Sequence, residues 1–128
     1  MNSRFFCMCR ILIAEDEARL AAFLEKGLRK YGFITAVAED GQQAILMAQT
    51  EDFHLVLLDL GLPIKDGWTV LRELRSRGDA LPIIVVTAQV DEGNRTAVLD
   101  AGADDFVAKP FRFNDLLDKV RSHFPSSD

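Results

Sequence analysis

Apolar runs and amphipathic stretches alternate along the chain, with short turns between them. Arg10-Ile11-Leu12-Ile13-Ala14 is almost wholly apolar, as a strand covered on both faces should be. Leu20, Phe23, Leu24, Gly27, Leu28 and Tyr31 then recur at helical spacing, and Gly32 marks the helix stop. Phe33 to Ala38 reads as a second strand. Asp40 reads as the N-cap of a helix through Ala44, Met47 and Ala48. Leu55 to Leu58 is the most apolar run and predicts a central strand. Gly67 to Arg77 carries Trp68, Leu71 and Leu74 on a helix ended by Gly78. Pro82 opens a buried strand from Ile83 to Val86. Asp91 to Ala101 predicts a weakly apolar helix with Ala97, Val98 and Ala101 as its inner face. Asp105 to Ala108 is a last short strand, and Leu116, Leu117, Val120 and Phe124 mark a last helix. Five strands and five helices in strict alternation imply an α/β domain, a parallel sheet with helices on both faces.

The length of 128 residues fits one domain. Residues 1–9 read as a short extension, 10–124 as the domain, and 125–128 as a tail or the start of a linker. No apolar run reaches the roughly 20 residues of a membrane span. Arg10 interrupts the opening apolar stretch and Glu15-Asp16 closes it, which rejects a signal peptide and predicts a cytoplasmic protein. Fifteen basic against twenty acidic residues leave a net charge of −5, so no field favours nucleic acid or anionic lipid. Cys7 and Cys9, with one residue between them, are expected as two reduced thiols. His54 and His123 read as core edge and surface.

The chemistry gathers where the strands end. Strand one ends in Glu15-Asp16, strand three in Asp59, strand four in Thr87-Ala88 and strand five in Lys109-Pro110. Carboxyl ends of parallel strands share one rim, the edge where open α/β sheets place ligands. Three carboxylates there repel one another and call for a cation. Oxygen ligands suit Mg²⁺, and no His or Cys at these ends favours zinc. A lysine, a hydroxyl and a divalent cation form a clamp for a phosphoryl group, with Asp59 as nucleophile. Taken singly, Asp16 reads as a helix N-cap, Thr87 as packing and Lys109 as a solvated lysine. Their joint placement carries the functional reading.

The segments Ile11–Glu17, Leu55–Gly67, Pro82–Ala88 and Ala101–Phe111 resemble, in order and spacing, the receiver domains of two-component response regulators. The resemblance runs from about Arg10 to Phe124. It implies a flavodoxin-like (βα)5 fold with strand order 2-1-3-4-5. It implies Asp59 as phosphoacceptor, and Mg²⁺ or Mn²⁺ on Asp16, Asp59 and the Gly61 carbonyl, with Glu15 acting directly or through water. Thr87 and the Ala88 N–H would hold phosphoryl oxygens, and Lys109 would pair with Asp59 and then with the phosphoryl group. Phe106 would be the aromatic whose rotamer follows Thr87, and Lys109-Pro110 a cis peptide. Asp59–Gly67 and Ala103–Phe111 look most like the OmpR-like subfamily, which adds a winged-helix DNA-binding domain. That likeness implies a phosphorylation-driven homodimer through Arg95, Asp100, Asp104, Asp105, Asp115, Lys119 and Arg121. A sensor histidine kinase or a phosphotransfer protein would be the donor. The alternatives are a stand-alone receiver acting by protein contact and a haloacid-dehalogenase-like phosphatase. The latter places its nucleophile after the first strand and adds a cap, for which this chain has no room.

Overall fold

The computed structural model describes residues 9–78, 80–88 and 92–124. The chain folds as β1 (Arg10–Ala14), α1 (Ala18–Lys30), β2 (Ile34–Ala38), α2 (Gly41–Thr50), β3 (Leu55–Leu58), α3 (Gly67–Ser76), β4 (Ile83–Thr87), α4 (Glu92–Asp100), β5 (Asp105–Ala108) and α5 (Phe113–Ser122). The five strands pair in parallel in the order β2-β1-β3-β4-β5. This is the expected flavodoxin-like topology.

Alternation along each central strand divides the core in two. Ile11, Ile13, Leu55, Leu57, Ile84 and Val86 meet Leu24 and Leu28 of α1 and Leu116, Leu117 and Val120 of α5. Leu12, Val56, Leu58, Ile83 and Val85 meet Ala44 and Ile45 of α2, Val70, Leu71 and Leu74 of α3, and Val98 of α4. Every residue of β3 and β4 is buried, whereas the edge strand β2 is mostly half exposed.

The helix ends follow local chemistry. Asp40 caps α2 by accepting from Gln43 N–H at 2.7 Å. Asp66 caps α3 the same way through Thr69 N–H at 2.9 Å. The two helices α1 and α4 close with the same motif. Gly32 N–H donates to Arg29 O and Phe33 N–H to Leu28 O; Gly102 N–H donates to Leu99 O and Ala103 N–H to Val98 O. Both glycines have the left-handed φ this turn demands, +93° and +116°.

Some expectations are corrected. Strand two begins at Ile34, because Phe33 closes the α1 turn and packs its ring on Phe124. Phe23 and Tyr31 are exposed, resting on Phe113 of α5. A Cβ at Gly27 would meet the Phe113 ring at 2.5 Å, so this glycine is what lets α5 approach α1 so closely. Ala97 is exposed, and in α4 Val98 alone is fully buried among the described residues, because α4 touches the sheet along a single row. Asp91, the predicted start of that helix, lies outside the described residues.

Cys9 is buried and disulfide-bonded, which corrects the expectation of two reduced thiols. Cys7 lies outside the described residues. Residues two apart span up to about 7 Å, which overlaps the Cα range of disulfides, so the spacing alone does not forbid a bridge. His54 is exposed, and its Nδ1 accepts the Arg10 N–H at 3.0 Å at the start of β1.

Candidate functional site

Backbone pairing alone brings the strand ends together. Ala14 lies opposite Leu58, and Asp59 N–H donates to Ala14 O at 3.0 Å. Glu15 and Asp59 therefore leave adjacent strands side by side. Thr87 lies opposite Ala108, and Lys109 N–H donates to Thr87 O at 2.8 Å. Glu15, Asp16, Asp59, Thr87 and Lys109 thus share one rim, as their strand-end positions predicted.

The side chains then converge. Lys109 Nζ lies 3.0 Å from Glu15 Oε1 and 3.3 Å from Asp59 Oδ1. The other oxygen of Glu15, Oε2, accepts the Glu17 N–H at 3.0 Å. Glu15, Asp59 and Thr87 are buried, while Asp16 is exposed. One carboxylate oxygen from each of Glu15, Asp16 and Asp59 falls within 4.8 Å of the others.

The electrostatics follow from this crowding. Burial pushes the Glu15 carboxyl above its ordinary value; the Glu17 N–H and Lys109 pull it down, and Asp59 adds to the rise. Burial opposes the charge on Lys109, but the hydrogen bond to Glu15 and the pull of Asp59 and Glu15 outweigh it and hold the ammonium above its ordinary value. Three carboxylates against one ammonium leave the cluster acidic. An all-oxygen, half-open set of this kind fits a hard divalent cation such as Mg²⁺, and the absence of His and Cys from the set argues against zinc.

The remaining predicted site residues lie around this cluster. Gly61 is exposed on the loop after β3, and a Cβ added there would make an ordinary 3.5 Å contact with Asp59 Oδ2. Ala88 is exposed at the end of β4. Phe106 is buried on β5 within the core shared with α4. The Lys109-Pro110 peptide is cis. Gly67 supports the loop, because a Cβ there would meet Asp59 O at 2.3 Å, and its N–H donates to Leu60 O.

The seven charged residues assigned to a dimer face divide. Arg95 of α4 and Asp115 and Lys119 of α5 line one cavity of about 320 Å³ with Phe106. Asp100 is exposed at the end of α4. Asp105 is engaged within the chain, with Lys119 Nζ at 3.2 Å and His123 Nε2 at 3.8 Å. Asp104 is held by Arg75 of α3 at 2.8 Å and accepts the Ile83 N–H. The Arg121 guanidinium lies 5.0 Å over the Tyr31 ring, toward α1.

The sequence reading missed three features near the site. The Glu17 N–H is a backbone donor that no residue type announces. Asp66, three residues before Thr69, carried a readable capping signal. Ile64 sits in the loop after Asp59 with φ +70° and 78% of its surface exposed, a placement that no local preference of isoleucine signals.

The model of the response regulator receiver domain family matches residues 11–121. The chain is similar to the transcriptional activator protein IrlR of Burkholderia pseudomallei, 48% identical over 113 residues, covering 88% of this chain and 49% of that protein. The chain spans about half the length of the curated relatives it matches. Among solved structures, it resembles the receiver domain of the Francisella response regulator 1452, with a TM-score of 0.88 and 29% identity over 90% of this chain and 95% of that one. It also resembles TrrA of Thermotoga maritima, solved in complex with Mg²⁺-BeF, with a TM-score of 0.83 and 31% identity over 91% of this chain and 100% of that one. The matched span takes in all the strand ends of the acidic rim, and the chain belongs to the response regulator receiver domain family.

Proposed function

We propose that the domain is a phosphorylation-controlled switch that accepts a phosphoryl group on Asp59 from a phosphohistidine of a sensor kinase or phosphotransfer protein. The convergence of Glu15, Asp16, Asp59 and Lys109 on one rim carries this reading. Asp16, Asp59 and the Gly61 carbonyl would hold Mg²⁺ or Mn²⁺, with Glu15 acting directly or through water. The bound ion supplies positive charge that offsets the carboxylates and the incoming phosphoryl oxygens.

An Asp59 carboxylate oxygen attacks phosphorus, the phosphorus–nitrogen bond to the donor imidazole breaks, and the electron pair goes to the ring nitrogen. Lys109 pairs with Asp59 beforehand and with the phosphoryl group afterwards. The Thr87 hydroxyl and Ala88 N–H hold phosphoryl oxygens, and the Phe106 rotamer follows Thr87. The face of α4, β5 and α5 then changes, and a homodimer forms through it, with Arg95, Asp115 and Lys119 the best placed of the expected residues. The similarity to a transcriptional activator of twice the length supports an output in transcription through a DNA-binding domain. The net charge of −5 gives this domain itself no attraction for nucleic acid. Among the described residues no helix is long and apolar enough to cross a membrane. The similarity to transcriptional regulators is what supports a cytoplasmic place for the domain. It assists its own phosphorylation and dephosphorylation but turns over no separate substrate.

Beryllium fluoride, a phosphoryl mimic, tests the site. With Mg²⁺ it should shift the amide resonances of Ala88 and Lys109, and the shift should vanish without Mg²⁺ or in Asp59→Asn. Shifts that persist in either condition would contradict the assignment.

A further inference from the structure

Ile64 is the least comfortable residue in the loop after the acceptor. Its φ is +70°, and Lys65 N–H donates to Pro63 O at 2.8 Å across it. That is a three-residue γ-turn of the strained hand. A β-branched side chain is disfavoured in this region, where glycine is free and asparagine tolerated. The side chain gains no packing in exchange, since 78% of its surface is exposed.

The turn is nevertheless held firmly. Pro63 O also accepts the Gly41 N–H from the start of α2 at 3.1 Å. Lys65 Nζ is tied to Glu73 of α3 at 2.9 Å. Gly67 N–H donates to Leu60 O on the far side of the loop. A bare apolar side chain is thus displayed on a rigid support five residues after Asp59. At full extension that is at most about 17 Å from the acceptor, and the turn shortens it.

We propose that Ile64 is a docking anchor for the histidine-bearing phosphodonor protein. This rests on the reading of Asp59 as acceptor. Asp59 is buried at the rim, so a protein donor must cover the surrounding loops to bring its phosphoryl group within reach. The rim is acidic through Glu15, Asp16, Glu17 and Asp59, and a phosphorylated donor is also anionic. A bound ion and Lys109 offset this charge at the acceptor itself, and apolar contact on the surrounding loops adds affinity that the acceptor site does not supply. A rigid, exposed isoleucine does so with little ordering cost. A small-molecule phosphodonor needs no such contact.

The test compares two donors on the same variants. Ile64→Gly and Ile64→Asn both suit the left-handed turn and should raise the thermal midpoint or leave it unchanged. Labelling of both by acetyl phosphate with Mg²⁺ should stay within about twofold of wild type. Phosphotransfer is then measured from the autophosphorylated kinase cores of the source organism's sensor kinases, using the core that transfers fastest to wild type. At subsaturating domain it should fall about tenfold, the effect of a modest interface contact, through KM rather than the saturated rate. Ile64→Met, which stays apolar, should retain transfer within about threefold. Unchanged transfer to the Gly and Asn variants would overturn the proposal. So would a parallel fall in acetyl phosphate labelling, which would make Ile64 a shaper of the site. So would failure of every kinase core on a wild-type domain that acetyl phosphate labels. A wild-type domain that acetyl phosphate does not label would instead overturn the reading of Asp59.

Discussion

Replacing Lys109 by methionine separates the charge of the lysine from the bulk of its stem. In the wild type, Nζ stands between Glu15 Oε1 at 3.0 Å and Asp59 Oδ1 at 3.3 Å, with the three side chains 20%, 4% and 10% exposed. Breaking a fully buried pair costs about 3–5 kcal/mol, because the remaining charge stays uncompensated. An exposed pair is worth only about 0–1 kcal/mol. This cluster opens to water on the Asp16 side and lies between the two, so about 2 kcal/mol is expected for Lys109→Met without metal. The loss should depend on pH. Burial already holds Glu15 above its ordinary value of 4.5, and the variant removes two of the influences that pull it down. A carboxyl raised in the folded state favours folding fully below its unfolded value, and that contribution is lost as pH rises through the folded value. The deficit should therefore open above about 4.5 and widen toward neutrality. Mg²⁺ should shrink it, because an ion that binds only the folded state stabilises in proportion to its affinity, and the lysine no longer competes for the carboxylates. Urea unfolding followed by the single tryptophan, Trp68, in EDTA and in Mg²⁺ at several pH values, measures all three effects. A variant as stable as wild type in EDTA at neutral pH, or a deficit that neither acid nor Mg²⁺ relieves, would refute the reasoning.

Three further outcomes are expected. Gly61→Asn should fold normally, since Gly61 is not in a left-handed conformation and a Cβ meets only Asp59 Oδ2 at 3.5 Å. The isolated phosphodomain should then lose its phosphoryl group several times faster than wild type, because Gly61 offers no side chain to orient a water; an equal decay rate would remove Gly61 from the account. Gln89, two residues after Thr87 and the other position whose side chain could hold that water, lies outside the described residues. Asp66→Ala should cost about 1 kcal/mol by removing the α3 cap. The Thr69 N–H holds Asp66 below its ordinary value of 3.8, so this stabilisation is present above that value and lost as pH falls, and the variant should lose that part of the acid sensitivity. Phosphorylation should raise the mass measured by light scattering toward a dimer, less so in high salt and in Arg95→Ala; a monomer at both salt concentrations would contradict the dimer.

The sheet was legible because burial on both faces writes the central strands as apolar runs, and β3 and β4 begin where those runs do. The site was legible for a related reason. Polar residues end such runs, and parallel pairing sends every carboxyl end to the same rim. Contacts between side chains distant in sequence were not legible. Lys109 was expected to face Asp59, but its shorter contact is with Glu15. Glu15 reaches both the lysine and the Glu17 N–H with its two oxygens. Helical spacing placed Phe23 and Tyr31 on an apolar face without indicating that Phe113 would lie against them over Gly27. The charges assigned to one surface divided because Arg75 holds Asp104 and Tyr31 lies under Arg121, and neither partner is near in sequence. The left-handed Ile64 follows from the docking of its loop on Gly41 and Glu73, which local preference opposes.

The central claim is that Asp59 takes up a phosphoryl group in a metal-dependent way. Intact-mass spectrometry after incubation with acetyl phosphate measures this directly, with Mg²⁺ or EDTA, on wild type and Asp59→Asn. One phosphoryl adduct is expected on wild type with Mg²⁺, and none in EDTA or on the variant. An adduct of equal yield on Asp59→Asn, or one that forms equally in EDTA, would contradict it.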